Sequence, residues 1–504
     1  MASNEVRTRY APSPTGNMHV GNLRTALYEY LIAKSSCGRF ILRIEDTDQE
    51  RYIEGSAQVI YDTLSEVMIR YDEGPDVGGP YGPYIQSERL FLYKPYAEEL
   101  VENGSAYYCF CTKERLDSLK HTVGDSEEET FSGGYDRHCR NLPEAVIKDL
   151  MSKDTPYVIR QKMPVDGSTT FHDVVYGDIT VENCELEDQI LLKSDGFPTY
   201  NFANVIDDHL MNITHVVRGN EYLSSTPKYN LLYTAFGWDI PVYVHLPLIL
   251  GRNPDGSVSK LSKRHGSTGY DELIREGYLP EAIINYIALL GWSPKENVEI
   301  MSMQDLIACF SIEGISKSPA IFDYDKLRWF NSQYFAALPF EDFHQLALHY
   351  YNEMFGDRNL DFVKISTLLQ PRISHLSQIP EMISFLKELP VYPSEFYIHK
   401  KMKTTMESSL EKLIDIYPVL QQTSSWDHDT IHSLLVQYAV DHEEKNGQIM
   451  WPIRTALSGI EVTPGGAVEL LTILGKDESL RRICKGIELL GGINDEQINR
   501  KYNQ

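Results

Sequence analysis

Two short stretches carry residue types that can hold a polyphosphate. The first, RYAPSPTGNMHVGNLRTAL at Arg9–Leu27, puts Gly16, His19 and Gly21 in the turn between a predicted strand and a predicted helix. Gly16 and Gly21 let backbone come close to a ligand. The helix starting near Asn22 offers free N–H groups and a positive dipole end, suited to phosphate. His19 stands just before that helix and can donate a hydrogen bond to the same group. The second stretch, KLSKRHG at Lys260–Gly266, crowds Lys260, Lys263 and Arg264 into a polar loop flanked by Gly251, Gly256 and Gly266. Such a loop can move and close cations over a polyphosphate as negative charge develops. Alone, the first reads as a turn and the second as a solvated basic loop. Together they point to one bound polyphosphate.

A third group lies between them. YCFCTKE gives Cys109 and Cys111, and GGYDRHCRN gives Tyr135, His138 and Cys139. Three thiols at two loci can hold a structural Zn²⁺, which wants a closed shell of four ligands. Tyr135, His138 and His121 are all open as the fourth. Cys37, Cys184, Cys309 and Cys484 are scattered, as packing residues are.

These residues need elements to place them. VRTRYA alternates as a strand should, NLRTALYEYLIAKS has apolar residues at helical spacing, and RFILRIEDTD is a second strand ending in acid. This β-turn-α-β opening predicts an α/β fold: a doubly wound, Rossmann-type parallel-sheet catalytic domain, with ligands beyond the carboxyl ends of its strands. From about Ala106 the texture changes to cysteines, glycines, an acidic run (GDSEEET) and β-like segments, the mark of a mixed α/β insertion. The expected division is 1–105 and 189–250 for the two halves of the catalytic domain, and 106–188 for the insertion. The basic loop and a helical domain take 251–337, and a mainly α-helical region takes 338–504. GRNPDGSVSKLSKRHG is read as a loop.

The chain has 504 residues, 42% hydrophobic, enough for several cores. No apolar stretch is long enough for a bilayer, and the cysteine usage fits a reducing compartment. A soluble cytoplasmic protein is expected. The formal charge of −25 argues, taken naively, against a nucleic-acid partner, but binding is governed by local patches.

PSPTGNMHVGN with KLSKR resembles the two signature motifs of class I aminoacyl-tRNA synthetases. The stretches RYAPSPTG, FILRIEDTD, GPYIQSERL and SDGFPTYNFANVIDDHL resemble those of the bacterial glutamyl-tRNA synthetase family, most densely from Arg7 to Arg89 and from Lys193 to Gly266. One departure is visible: the fourth place of the first motif, histidine in the wider class, is Asn22, which moves phosphate contact toward His19 and the backbone.

The resemblance implies activation of L-glutamate by ATP, with Mg²⁺ riding on the nucleotide, then transfer to the terminal ribose of tRNA(Glu). It places ATP at Pro12, Gly16, His19, Gly21, Asn22 and Lys263, and charge stabilisation at His19, Lys260, Lys263 and Arg264. It places glutamate at Arg9, Ala11, Ser13, Glu45, Tyr200, Asn204 and Arg218. The residue types agree: arginine forks fit carboxylates and an acid fits the ammonium. Tyr200, Asn204, Asp207 and Asp208 share a face if their segment is helical. The family's C-x-C…Y-x-x-x-C pattern makes Tyr135 the fourth zinc ligand beside Cys109, Cys111 and Cys139. QPRISHL resembles the family segment in which an arginine, here Arg372, reads the third anticodon base. A monomer is expected. A glutaminyl relative would have a β-barrel anticodon domain, a shortened paralogue would lack the last third, and small nucleotidyltransferases are far shorter. A non-catalytic RNA-binding relative would be expected to lose His19 or Lys263. Charging of tRNA(Gln) as well stays open.

Overall fold

The chain forms two compact units, Met1–Ile274 with Pro280–Leu327, and Arg275–Leu279 with Arg328–Gln504. The structure is a computed structural model that describes residues 5–47, 53–121, 135–356, 358 and 360–492. The acidic run GDSEEET, Asp48 and the side chain of His121 lie outside the described residues. No described helix is long and apolar enough to cross a membrane.

The first unit opens with strand β1 (Arg7–Tyr10), helix α1 (Val20–Ser35) and strand β2 (Arg39–Leu42). β1 and β2 pair in parallel, from Arg7 opposite Arg39 to Tyr10 opposite Leu42. All four residues of β1 are buried, so the predicted alternation of exposure does not occur. A parallel strand covered on both faces has no wet side. Its arginines can be buried because acids meet them: Arg7 pairs with Glu73 at 2.8 Å, and Arg9 with Glu29 and Asp208. α1 is likewise buried nearly all round, beyond the predicted apolar stripe. It is packed between β1, β2 and the helices Pro280–Ala288 and Met303–Cys309.

Thr214 donates its N–H to Arg7 O at 3.0 Å and leads into the strand His215–Gly219. That strand pairs in parallel with Val242–Leu246. The latter meets Ser168–Asp173 in parallel at Asp173 opposite Tyr243, and Ser168–Asp173 turns back as a hairpin into Gly177–Glu182. A separate antiparallel sheet joins Ala106–Cys109, Val158–Gln161 and Ile190–Leu192. The region 106–188 thus supplies strands to both sheets.

The segment predicted as a glycine-flanked loop is largely a hairpin. Ile249–Arg252 pairs antiparallel with Val258–Lys260, and Lys263–His265 forms a 3₁₀ turn. Asn-Pro-Asp-Gly supplies the turn, with Gly256 at φ +84°. Gly251 serves packing instead of mobility: a Cβ there would lie 2.5 Å from the His265 ring.

The second unit is helical, as predicted for the C-terminal region. Its helices include Phe340–Phe355, Phe362–Leu369, Met406–Gln422, Asn446–Ser458 and Lys476–Leu489. They close on a core that contains Phe343, Ile365, Leu413, Ile453 and Ile483.

The first unit's sheet is organised around buried charge. Arg43, fully buried, donates to Asp208 Oδ1 at 2.8 Å and Glu45 Oε1 at 2.9 Å. Arg89 donates to Asp207 at 2.7 Å, which also accepts from Tyr93 and Gln86. Replacing Arg43 by Met leaves Glu45 without its ion-pair partner and Asp208 with Arg9 alone. We expect the unfolding transition of this unit, followed by denaturant titration, to lose about 3–5 kcal/mol.

Candidate active site

A cavity of about 370 Å³ opens at the carboxyl ends of the parallel strands. Behind β1 it is lined by Ala11, Pro12 and Ser13, and behind β2 by Glu45. The ends of the next two strands add Arg218 and Leu246–Ile249, and the start of α1 adds His19, Gly21 and Asn22. Arg9, Tyr200 and Lys260 complete the predicted residues found on its wall.

The two phosphate motifs meet here through backbone. The chain just beyond the basic segment runs beside the histidine turn, with His19 and Gly269 in an antiparallel bridge. Val20 N–H donates to Thr268 O and Tyr270 N–H to Met18 O, each at 2.9 Å. His19 caps α1, which therefore starts at Val20 and not near Asn22. Its Nδ1 accepts from Gly21 N–H at 3.0 Å, so in the neutral ring Nε2 carries the proton and is the donor left for a ligand. Burial and the nearby cations Lys260 and Lys263 push the imidazole below its ordinary range, which favours that neutral form. The cap also corrects one expectation: Val20 and Gly21 N–H groups are both used inside the protein.

The predicted amino-acid residues other than Asn204 line the same cavity. Arg9 donates Nε to Asp208 at 2.9 Å and Nη1 to Glu29 at 3.2 Å. Glu45 keeps Oε1 on Arg43, while its buried Oε2 has no hydrogen-bond partner among the described residues. Burial raises the Glu45 carboxyl despite Arg43. A cation beside Oε2 would draw it down again. Arg218 lies 5.1 Å from the centre of the Tyr222 ring, and that ring is 5.8 Å from Tyr200. Tyr200 starts the helix Tyr200–Leu210, so the shared face predicted for Tyr200, Asn204, Asp207 and Asp208 has the helical backbone it required.

Four predicted residues do not line the cavity. Gly16 takes φ +117°, a conformation open to glycine, and serves the turn. Asn204 is buried behind the wall. Lys263 is exposed, with Nζ 3.9 Å from Glu272, and Arg264 donates to Ser259 at 2.6 Å. Among the residues the motifs did not mark, Glu29 and Tyr222 do line it. A lone acid within the apolar run ALYEYLI was the available signal for Glu29.

The cysteines form a second centre. Sγ atoms of Cys109, Cys111 and Cys139 lie within 4.8 Å of one another, with Cys111 and Cys139 at 3.6 Å. Tetrahedral Zn–S bonds of ~2.3 Å would set such sulfurs about 3.8 Å apart. Tyr135 Oη is 3.2 Å from Cys109 Sγ and 3.8 Å from Cys111 Sγ, whereas His138 is exposed. The donor set fits a structural zinc. In the second unit, Arg372 is exposed and donates to Leu368 O at 2.7 Å.

Residues 5–329 match the family described as tRNA synthetases class I (E and Q), catalytic domain, and 342–487 match an anticodon binding domain. Glutamate–tRNA ligase of Clostridium acetobutylicum is 56% identical over 97% of this chain and all of its own length. The chain belongs to the glutamate–tRNA ligases. The enzyme of Clostridium kluyveri, another member, is 56% identical over 96% of this chain and 98% of its own. A glutamate–tRNA ligase of Elizabethkingia meningosepticum, crystallised with its amino acid, superposes with a TM-score of 0.84 at 37% identity, covering 97% of this chain and 100% of that one. The chain is therefore a ligase of the class I aminoacyl-tRNA synthetase family, with ATP as a substrate.

His19→Asn keeps a helix cap but loses the reach of the imidazole. Steady-state kinetics should show kcat/KM for ATP falling about 100- to 1,000-fold with little change in unfolding midpoint. In the Lys260→Met variant the His19 ring, followed by NMR titration, should take up its proton at higher pH, since a neighbouring cation is gone.

Proposed function

We propose that this chain joins L-glutamate to tRNA(Glu) in two steps within the cavity. The observation that carries the reading is the placement of His19 and Lys260 on the same cavity as Arg9, Glu45 and Arg218. A triphosphate and an amino acid with two carboxylates and one ammonium can therefore share it. In the first step a glutamate α-carboxylate oxygen attacks the α-phosphorus of ATP. The bond to the bridging oxygen breaks, and pyrophosphate leaves with its electron pair. His19 Nε2–H contacts phosphate, and Lys260 offsets the developing charge. Lys263, with Arg264, joins them as the basic turn closes. In the second step the 2′-hydroxyl of the terminal ribose attacks the glutamyl carbonyl, releases AMP and loses its proton. No side chain is covalently modified; orientation and fixed charge lower the barrier.

Glu45 Oε2 receives the ammonium, and Arg9, Arg218, Tyr200 and the Ala11–Ser13 backbone hold the carboxylates. Asn204, one helical turn beyond Tyr200, is the further glutamate-site residue that the family resemblance names. Pro12, Gly16, Gly21 and Asn22 shape the nucleotide side. Mg²⁺ enters as the ion of the nucleotide. Zn²⁺ would be held by Cys109, Cys111, Cys139 and Tyr135, where it would fix the strand Ala106–Cys109 and its neighbours for contact with the tRNA acceptor end. None of the seven cysteines is in a disulfide, which suits a cytoplasmic setting, and we take the working form as a monomer. Basic local surface, against a total of −25, would give tRNA affinity that weakens as salt rises.

Labelled pyrophosphate should enter ATP only when glutamate and tRNA are both present. Exchange with no amino acid would overturn the reading. Arg372 is proposed to read the third anticodon base, so tRNA(Glu) is preferred to tRNA(Gln). Arg372→Ala should shrink the ratio of kcat/KM for the two tRNAs by about 10-fold; an unaltered ratio removes that role.

A further inference from the structure

Arg218 is aimed by two residues that the reaction above does not use. The strand Val242–Leu246 sets His245 directly opposite Arg218, and sets Tyr243 opposite Asp173 on the next strand. His245 and Asp173 are fully buried. Asp173 Oδ1 accepts from Val175 N–H at 2.9 Å and Tyr176 N–H at 2.8 Å. Its Oδ2 accepts from His245 N–H at 3.0 Å and lies 2.7 Å from His245 Nδ1. A carboxylate so held keeps the proton on Nδ1. Nε2 then presents a lone pair, and it accepts from Arg218 Nε at 3.2 Å. An imidazolium would set N–H against N–H. Burial and the Arg218 cation both hold the ring neutral. Thr226 Oγ1 accepts from Arg218 Nη2 at 2.9 Å while donating to Tyr222 O. Two of the three guanidinium nitrogens are thereby fixed, and Nη1 has no hydrogen-bond partner among the described residues.

The kind of acceptor matters as much as its place. Arg9 is held by two carboxylates, which offset its charge. Arg218 is held by a neutral ring nitrogen and a hydroxyl, which fix its direction and leave its charge whole. A carboxylate ligand gains full charge–charge attraction from such a guanidinium; a carboxamide does not.

We propose that Asp173 and His245 are positioning residues that hold Arg218, undischarged, toward a carboxylate of the amino acid and so set selection of glutamate over its amide. This rests on the reading of Arg218 as an amino-acid ligand. The test uses the full chain in tRNA charging, with KM and kcat measured separately for glutamate and ATP. Arg218→Ala is the reference. His245→Leu should raise KM for glutamate about 10-fold or more, with kcat and KM for ATP within about 2-fold. His245→Gln, which restores a neutral acceptor near the Nε2 position, should recover most of that loss. If His245→Leu does not fold, Thr226→Val removes the second hold at constant volume and should raise the same KM alone. If Arg218→Ala raises KM for glutamate but His245→Leu and Thr226→Val do not, the positioning role is wrong. If Arg218→Ala itself leaves that KM unchanged, the reading of Arg218 fails and this inference with it. Equal losses in His245→Leu and His245→Gln, spread over both substrates, would mark His245 as structural and overturn it too.

Discussion

Arg43 joins Asp208 of the helix Tyr200–Leu210 to Glu45 beyond β2, with no part of its side chain in solvent. Arg9 joins the same Asp208 to Glu29 of α1. A charge in a low-dielectric interior must meet an opposite charge or be neutralised. The elements that carry these five residues therefore cannot shift independently. Register in the sheet, the rotation of α1 and the start of the helix at Tyr200 are coupled through two guanidiniums. The cavity wall inherits that rigidity, because Arg9 and Glu45 belong both to the network and to the wall.

The count of charges in this network bears on its ligand. Arg9, Arg43 and Arg89 face Glu29, Glu45, Asp207 and Asp208, one carboxylate in excess. Burial raises Glu29 and Glu45, so the excess negative charge is the costly part of the network. An incoming ammonium can offset that charge at Glu45, whose Oε2 has no hydrogen-bond partner among the described residues. This charge balance supports the proposal that the wall takes a ligand with one positive charge at Glu45 and negative charge for the guanidiniums, the pattern of an amino acid with an acidic side chain.

Much of this was legible in the sequence, and the exceptions have physical causes. The histidine turn and the lysine segment were readable because glycine, proline and clustered cations are unusual beside regular elements. Arg9, Glu45, Tyr200 and Arg218 were legible through resemblance, and the structure puts all four on one cavity. The hairpin Ile249–Arg252/Val258–Lys260 was missed because its strands are short and its turn residues look like loop. The buried face of β1 was missed because arginines in a strand suggest solvent until their partners, far away in sequence, are known. Glu29, Asp173 and His245 share that difficulty: each is a local anomaly whose meaning comes from a residue at least 20 positions away.

Adenylate formation requires stabilising negative charge that moves, on a ligand bound by charges that must not. In the proposed reaction His19 and Lys260, both on the cavity, meet the moving charge. They belong to a capped helix start and a basic segment tied to it through Thr268–Tyr270, where closure can follow chemistry. In the proposed reaction Arg9 and Arg218 serve the amino acid, whose side-chain carboxylate keeps its charge; Arg9 is fixed by Asp208 and Glu29, and Arg218 by His245 and Thr226. If both sets were mobile, part of the stabilisation would be lost in reorganising dipoles at the transition state. The proposed division between a locked wall and a tethered basic turn agrees with the buried ion pairs at Arg9 and Glu45 and with the exposure of Lys260 and Lys263.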